Sequence, residues 1–289
     1  MIWILTDTAQ ELKHDPENGL YVVNLPVVIN GEVREKPLEK EEFYSLLEND
    51  DMTITTSMAS PAVLEEVFEK LTANGDDVVA ILLSSTLSGT YNSARLASQD
   101  NPHVFLVDSR NACLGQSALV ERAMEIRDKG LSAREMQNAL ELETSECVLL
   151  AAVPSLKYLK KGGRVPAAVA VAGDLMGIKP LVTINLEGQV VVDSKVRGMK
   201  KAVKACAARA LELGLDPERP IQVGFSGLDD ANARLLKEEL EKETGLKIER
   251  PLVSLSNVLA VHAGPDAAGL GFFVKKKPLG MSGSKAKFN

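Results

Sequence analysis

Aromatic side chains are scarce in this chain: one Trp, four Tyr and seven Phe among 289 residues. A stacking platform for bases or sugars is hard to assemble from so few rings, and the core has to come from Leu, Val, Ile and Ala. A basic excess is missing too. The 40 acidic residues outnumber the 33 basic ones, and a net charge of −7 repels a phosphate backbone, which argues against nucleic acid. Cys113, Cys147 and Cys206 are odd in number and far apart, with no CxxC pair. That excludes a disulfide framework and a zinc knuckle and suits a reducing compartment. No apolar run reaches the roughly 18 residues of a membrane span. The nearest, Val165 to Ile178, is broken by Gly173, Asp174 and Gly177. No basic leader precedes Met1-Ile2-Trp3-Ile4-Leu5, so the expected place is the cytoplasm.

What is present is an alternation of two periods. Ile2–Leu5, Tyr21–Ile29, Val78–Leu83, Val104–Val107 and Val148–Val153 read as strands. Between them Lys40–Glu48, Pro61–Thr72, Tyr91–Ser98 and Ser117–Lys129 read as helices. Ser60-Pro61 supplies an N-cap followed by proline at the first helical position, and Ser132-Ala-Arg-Glu135 is a capping box. Strands alternating with helices imply a mostly parallel sheet covered on both faces. Beyond about residue 154 the pattern changes. Leu181–Asn185 and Val190–Asp193 flank a Glu187-Gly188 turn, as in a β-hairpin. A helix over Gly198–Leu213, a strand at Ile221–Phe225, a helix over Asp229–Thr244 and strands at Lys247–Arg250 and Leu270–Val274 follow. The fold class is therefore α/β with two α/β domains, the first (1–155) mostly parallel and the second (156–275) a mixed sheet with a hairpin. Residues 276–289, rich in Lys, Gly and Ser, read as a flexible tail.

Several short segments carry chemistry. Thr55-Thr56-Ser57 places three hydroxyls before a helix start, where they suit an anion or simply bond the local backbone. Leu83-Ser84-Ser85-Thr86-Leu87-Ser88-Gly89-Thr90-Tyr91 runs an apolar strand into a hydroxyl-rich turn and then a helix. In open α/β sheets ligands sit at such strand ends, and a helix N-terminus favours negative charge. An N-cap alone accounts for the same residues. Lys160-Lys161-Gly162-Gly163-Arg164 could grip phosphate or form a solvated helix C-cap, and no Walker loop occurs. Lys195-Val196-Arg197-Gly198-Met199-Lys200-Lys201 sets cations at a helix start, against the macrodipole, where an anion or a partner would relieve them. His262 precedes Gly264-Pro265, a turn that would aim its ring, although a lone His on an apolar segment is commonly a core residue. Gly224-Phe-Ser226-Gly has the wrong offset for a nucleophile elbow, and His14, His103 and His262 are too scattered for a metal site.

In order along the chain, these segments resemble the DegV family of bacterial fatty acid-binding proteins. The resemblance runs through Thr6-Asp7-Thr8, Thr55-Thr56-Ser57, Leu87–Tyr91 and Val107-Asp108-Ser109. It continues through Lys161–Arg164, Ile178-Lys179-Pro180, Lys195–Gly198 and His262–Pro265. It implies a long-chain fatty acid lying in an apolar tunnel, its carboxylate held by Thr56 and Ser88 with His262 in the same network. It further implies that the protein is no enzyme itself but the lipid-presenting partner of a separate fatty acid kinase, which would phosphorylate the bound carboxylate. Arg164 and Arg197 match family positions tied to the kinase and are expected outside the lipid pocket. No cofactor or metal is expected. The family often continues Thr-Thr-Ser with Gln-Pro-Ser-Pro, where this chain has Met58-Ala59-Ser60-Pro61, so the loop beside the head group differs. The rival reading is a Ser88/His262 hydrolase or phosphotransferase acting on a small acyl substrate, with Asp7 or Asp108 as the third group.

Overall fold

The computed structural model describes residues 1–34, 36–165 and 177–275. The expected flexible tail, 276–289, and most of the Val165–Ile178 run lie outside the described residues. Three sheets organise the described residues. The first is parallel throughout, in the order β2 (Leu20–Val23), β1 (Ile2–Asp7), β6 (Asp77–Leu82) and β7 (Val104–Asp108). Its inner strands are apolar and buried on both faces, as a helix-covered parallel sheet requires. The second is a small antiparallel sheet in the order β4 (Glu32–Arg34), β3 (Val27–Ile29) and β5 (Ile54–Thr56). The third has six strands, in the order β10 (Val190–Arg197), β9 (Ile178–Ile184), β8 (Cys147–Ala152), β13 (Ala268–Phe273), β11 (Gln222–Phe225) and β12 (Val253–Ser254). It is antiparallel except for the β11–β12 pair. Thus β8, which precedes residue 155, pairs on both sides within the mixed sheet.

Helices α1 (Lys40–Glu48) and α2 (Pro61–Thr72) keep the expected bounds, and the Ser60 hydroxyl caps α2 by accepting from the Val63 N–H. Then come α3 (Thr90–Ala97), α4 (Cys113–Asp128) and α5 (Ala133–Glu143), the last opened by the Ser132/Glu135 capping box. Helix α4 starts four residues earlier than expected. Its residues from Leu114 to Glu121 are all buried, because it packs against β1 and β6 on one side and β8, β11 and β13 on the other. A helix wedged between two sheets loses the one-sided apolar stripe by which sequence reading finds helices. Gly271 makes the contact close, since a Cβ there would lie 1.9 Å from the Leu114 carbonyl oxygen.

The remaining α-helices among the described residues are α6 (Lys157–Lys161), α7 (Met199–Leu213), α8 (Ala231–Thr244) and α9 (Asn257–Ala263). Helices α7 and α8 pack on the six-stranded sheet. Helix α9 leaves that sheet after β12 and buries Val258, Leu259, Ala260 and Val261 in the core beneath β3, β5, α1 and α2. Two expected strands change. Tyr21–Ile29 divides into β2 and β3 because Pro26 has no N–H to donate and the Leu25 N–H donates instead to Thr8 Oγ1 (2.8 Å). Lys247–Arg250 is not a strand: the Ile248 N–H is taken by Glu241 Oε1 (2.8 Å), and pairing resumes only at Val253, beyond Pro251. Among the described residues no helix is long and apolar enough to cross a membrane.

Candidate functional site

Residues just past the C-terminal ends of β1, β6 and β7 (Ala9, Leu83 and Ala112) line one side of a cavity of about 1050 Å³, its mouth included. The opposite side comes from the six-stranded sheet through Leu149, Ala151, Val182, Ile184 and Ala268, with Leu114 of α4 and Leu255, Val258 and Leu259 before and along α9 adding to the apolar lining. The position obeys the rule that ligands sit outside the carboxyl ends of parallel strands.

Polar groups reach this surface from several separate places in the chain, Thr183 of β9 among them, its hydroxyl donating to the Leu149 carbonyl (2.7 Å). Thr56, the last residue of β5, is fixed by pairing with Val27. Its Oγ1 lies 3.0 Å from Nε2 of His262, in the last turn of α9, a contact spanning 206 residues of sequence. Ser88 sits in the turn between β6 and α3, where its N–H donates to the Ser84 carbonyl (3.1 Å). The Ser88 hydroxyl lies 3.0 Å from Thr90 Oγ1 and accepts from the Thr90 N–H (3.3 Å). Arg164 reaches it from the loop after α6. Burial, and secondarily the positive charge of Arg164, pushes His262 down to about 4, so the ring is neutral at physiological pH.

The structure therefore brings Thr56, Ser88 and His262 to one cavity, together with Ser57, which the sequence offered only as part of a hydroxyl run. Arg164 departs from expectation. It lines the cavity rather than lying outside it, and its Nε donates to the Leu87 carbonyl (3.2 Å) and its Nη1 to that of Gly162 (2.5 Å). Those carbonyls lie 77 and 2 residues from Arg164 in the chain, a pairing no sequence spacing announces. Arg197 stays apart, exposed at the end of β10. Met58, at the departure from the family pattern, is half exposed and lies against Gly89, where a Cβ would fall 2.3 Å from its sulfur. The altered loop thus touches the Ser88 turn directly.

Among the described residues no carboxylate is hydrogen-bonded to His262 as a hydrolytic triad requires. Among those residues its Nδ1 is buried with no hydrogen-bond partner to orient it. Asp7 is committed to the N–H groups of Ala9 (3.0 Å) and Leu83 (2.9 Å) and to Gln116, while Asp108 accepts from the N–H groups of Ser85 and Arg110. Cys113 lines the cavity, but burial pushes its thiol up, away from the thiolate a nucleophile needs. Among the described residues no group of His, Cys, Asp and Glu is arranged to hold a metal ion.

A family model described as "Uncharacterised protein, DegV family" matches residues 1–275. A DegV domain-containing protein of Caldanaerobacter subterraneus subsp. tengcongensis is 34% identical over 285 residues, 95% of this chain and 99% of that protein. Among solved structures, a fatty acid-binding DegV family protein from Thermus thermophilus superposes with a TM-score of 0.82 at 30% identity, covering 95% of this chain and 99% of that one. A fatty acid binding DegV family protein from Streptococcus agalactiae gives a TM-score of 0.82 at 26% identity, covering 96% and 99%.

Proposed function

The chain belongs to the DegV family, and from that premise we propose that it binds a long-chain fatty acid in the cavity between its sheets. The observation that carries the reading is the Thr56–His262 pair, set with Ser88 on a cavity lined mainly by aliphatic side chains. Affinity comes from the tail. Each buried methylene contributes about 0.8 kcal/mol, so a chain of roughly 15 carbons gains on the order of 10 kcal/mol before ordering and lost tumbling subtract several. Orientation comes from the head. A buried carboxylate without partners is strongly penalised, and the Thr56 and Ser88 hydroxyls each supply one donor. Both are uncharged, so they orient the carboxylate without a bidentate guanidinium clamp, leaving one oxygen free for chemistry.

In this reading the protein is a non-catalytic carrier in the cytoplasm. It presents the carboxylate to a separate fatty acid kinase, which transfers a phosphoryl group to the free oxygen. Arg164 and Arg197 serve that partner: Arg164 from the edge of the ligand site, Arg197 from the exposed end of β10. The likeness to two structures described as fatty acid-binding supports the ligand. Mass spectrometry of an organic extract of the purified protein tests it, with a stoichiometric long-chain fatty acid as the expected result. A Thr56→Ala/Ser88→Ala variant should bind fatty acid at least tenfold more weakly, two hydrogen bonds to a charged group being lost. Unchanged affinity in that variant removes the head-group assignment, and an empty extract removes the carrier function.

A further inference from the structure

The ring of His262 occupies the place where a side chain at position 162 would be. A Cβ built on Gly162 would lie 2.2 Å from Nδ1 and 2.8 Å from Cε1. The contact is mirrored one turn away, where a Cβ on Gly264 would lie 2.1 Å from the Tyr158 ring. Two glycines thus let α6 and α9 approach until the ring of each fits against the backbone of the other. The result at His262 is a nitrogen sealed from every partner among the described residues, while the other nitrogen faces Thr56.

That asymmetry bears on where the ring proton sits. With the proton on Nδ1, a buried N–H has no acceptor, and the Thr56 hydroxyl must spend its own hydrogen on Nε2. With the proton on Nε2, the ring donates to Thr56 Oγ1, only a bare lone pair is left facing Gly162, and the Thr56 hydrogen remains free. Orphaned buried N–H groups are rarer than orphaned acceptors, and the tautomer of a histidine follows the partners of its two nitrogens. We propose that Gly162 is a positioning residue: by seating the His262 ring with Nδ1 sealed, it selects the tautomer that donates to Thr56 and so reserves the Thr56 hydroxyl hydrogen for the ligand carboxylate. This rests on the fatty acid reading of the site and adds a residue outside the head-group set.

Two measurements test it on the full chain. Nitrogen-15 NMR of the histidine rings at neutral pH should show His262 protonated on Nε2 and bare on Nδ1; protonation on Nδ1 overturns the proposal. Binding of palmitate to Gly162→Ala, Thr56→Val and the double variant should form a non-additive cycle. Each single change costs roughly ten- to hundredfold, and the double variant is no weaker than Thr56→Val alone. Fully additive losses overturn the proposal. Should Gly162→Ala fail to fold, the spectrum of the unaltered protein still decides. If that protein takes up no fatty acid, the carrier reading fails, while the spectrum separately reports the tautomer.

Discussion

His262 and Glu11 stand at opposite ends of α9, and burial moves their protonation in opposite directions. Glu11 accepts from the N–H of Ser256, the residue before the helix (2.6 Å), and burial raises its carboxyl to about 7. A raised acid binds its proton more tightly in the folded state than in the unfolded chain. Its contribution is therefore present below the ordinary value of 4.5 and is lost as pH rises through 7. His262 at about 4 works the other way: the unfolded chain takes up the proton first, so stability is lost as pH falls from 6.5 towards 4. Glu11→Gln keeps the acceptor for Ser256 and deletes the titration. Urea unfolding from pH 5 to 8 should show the unaltered protein losing on the order of 1–2 kcal/mol relative to this variant. Parallel curves would show that Glu11 ionises normally. At the same scale, Arg164→Ala removes a charge from the cavity edge. Combined with Arg197→Ala it should abolish stimulation of the kinase while fatty acid still co-purifies; loss of the lipid would assign Arg164 to the ligand instead.

Between elements, one carbonyl of the mixed sheet takes two hydroxyls from the parallel sheet, beside a second tie in which the Asn111 amide donates to the Cys147 carbonyl (3.0 Å). Gly188, in the turn between β9 and β10, accepts from the Ser84 hydroxyl (2.9 Å) and the Thr86 hydroxyl (2.6 Å), both in the loop after β6. With φ at +80° and room for a Cβ only 2.3 Å from Ser84 Oγ, position 188 takes glycine alone. Either hydroxyl satisfies the carbonyl when the other is gone. Ser84→Ala and Thr86→Val should each cost about 0.5–1.5 kcal/mol in urea unfolding, and the pair more than their sum, because only then is the carbonyl left bare. A strictly additive pair would mean that water replaces the latch. This link explains which elements were legible in the sequence. Helices α1 and α2 were readable because each packs one face and shows an apolar stripe, with Ser60-Pro61 marking a start. The strands of the small sheet are three residues long, too short for any period, so Thr56 was visible as a hydroxyl but not as a strand end. Ser84 and Thr86 were visible as hydroxyls without their distant acceptor. The Thr56–His262 contact and the glycine seat of His262 join segments far apart in the chain, and nothing local encodes such a meeting.

Across the whole molecule, the cavity is walled by the parallel sheet's loops, the mixed sheet and α9, so a ligand that fills it touches all three at once. The unfolded chain has no such surface, and a fatty acid that binds only the folded state must stabilise it by RT ln(1 + [L]/Kd), about 2.7 kcal/mol at a hundredfold excess over Kd. Stripping the protein with a hydrophobic resin should therefore lower its unfolding temperature by several degrees. Adding back a saturating long-chain acid should restore it, whereas a short acid such as butyrate, with the same carboxylate but little tail, should not. That contrast separates the two parts of the site. Rescue by butyrate would place the binding energy in the Thr56, Ser88 and His262 end, contrary to the methylene arithmetic. Absence of rescue by any acid, with the stripped protein still folded, would leave the cavity without the ligand its lining suits.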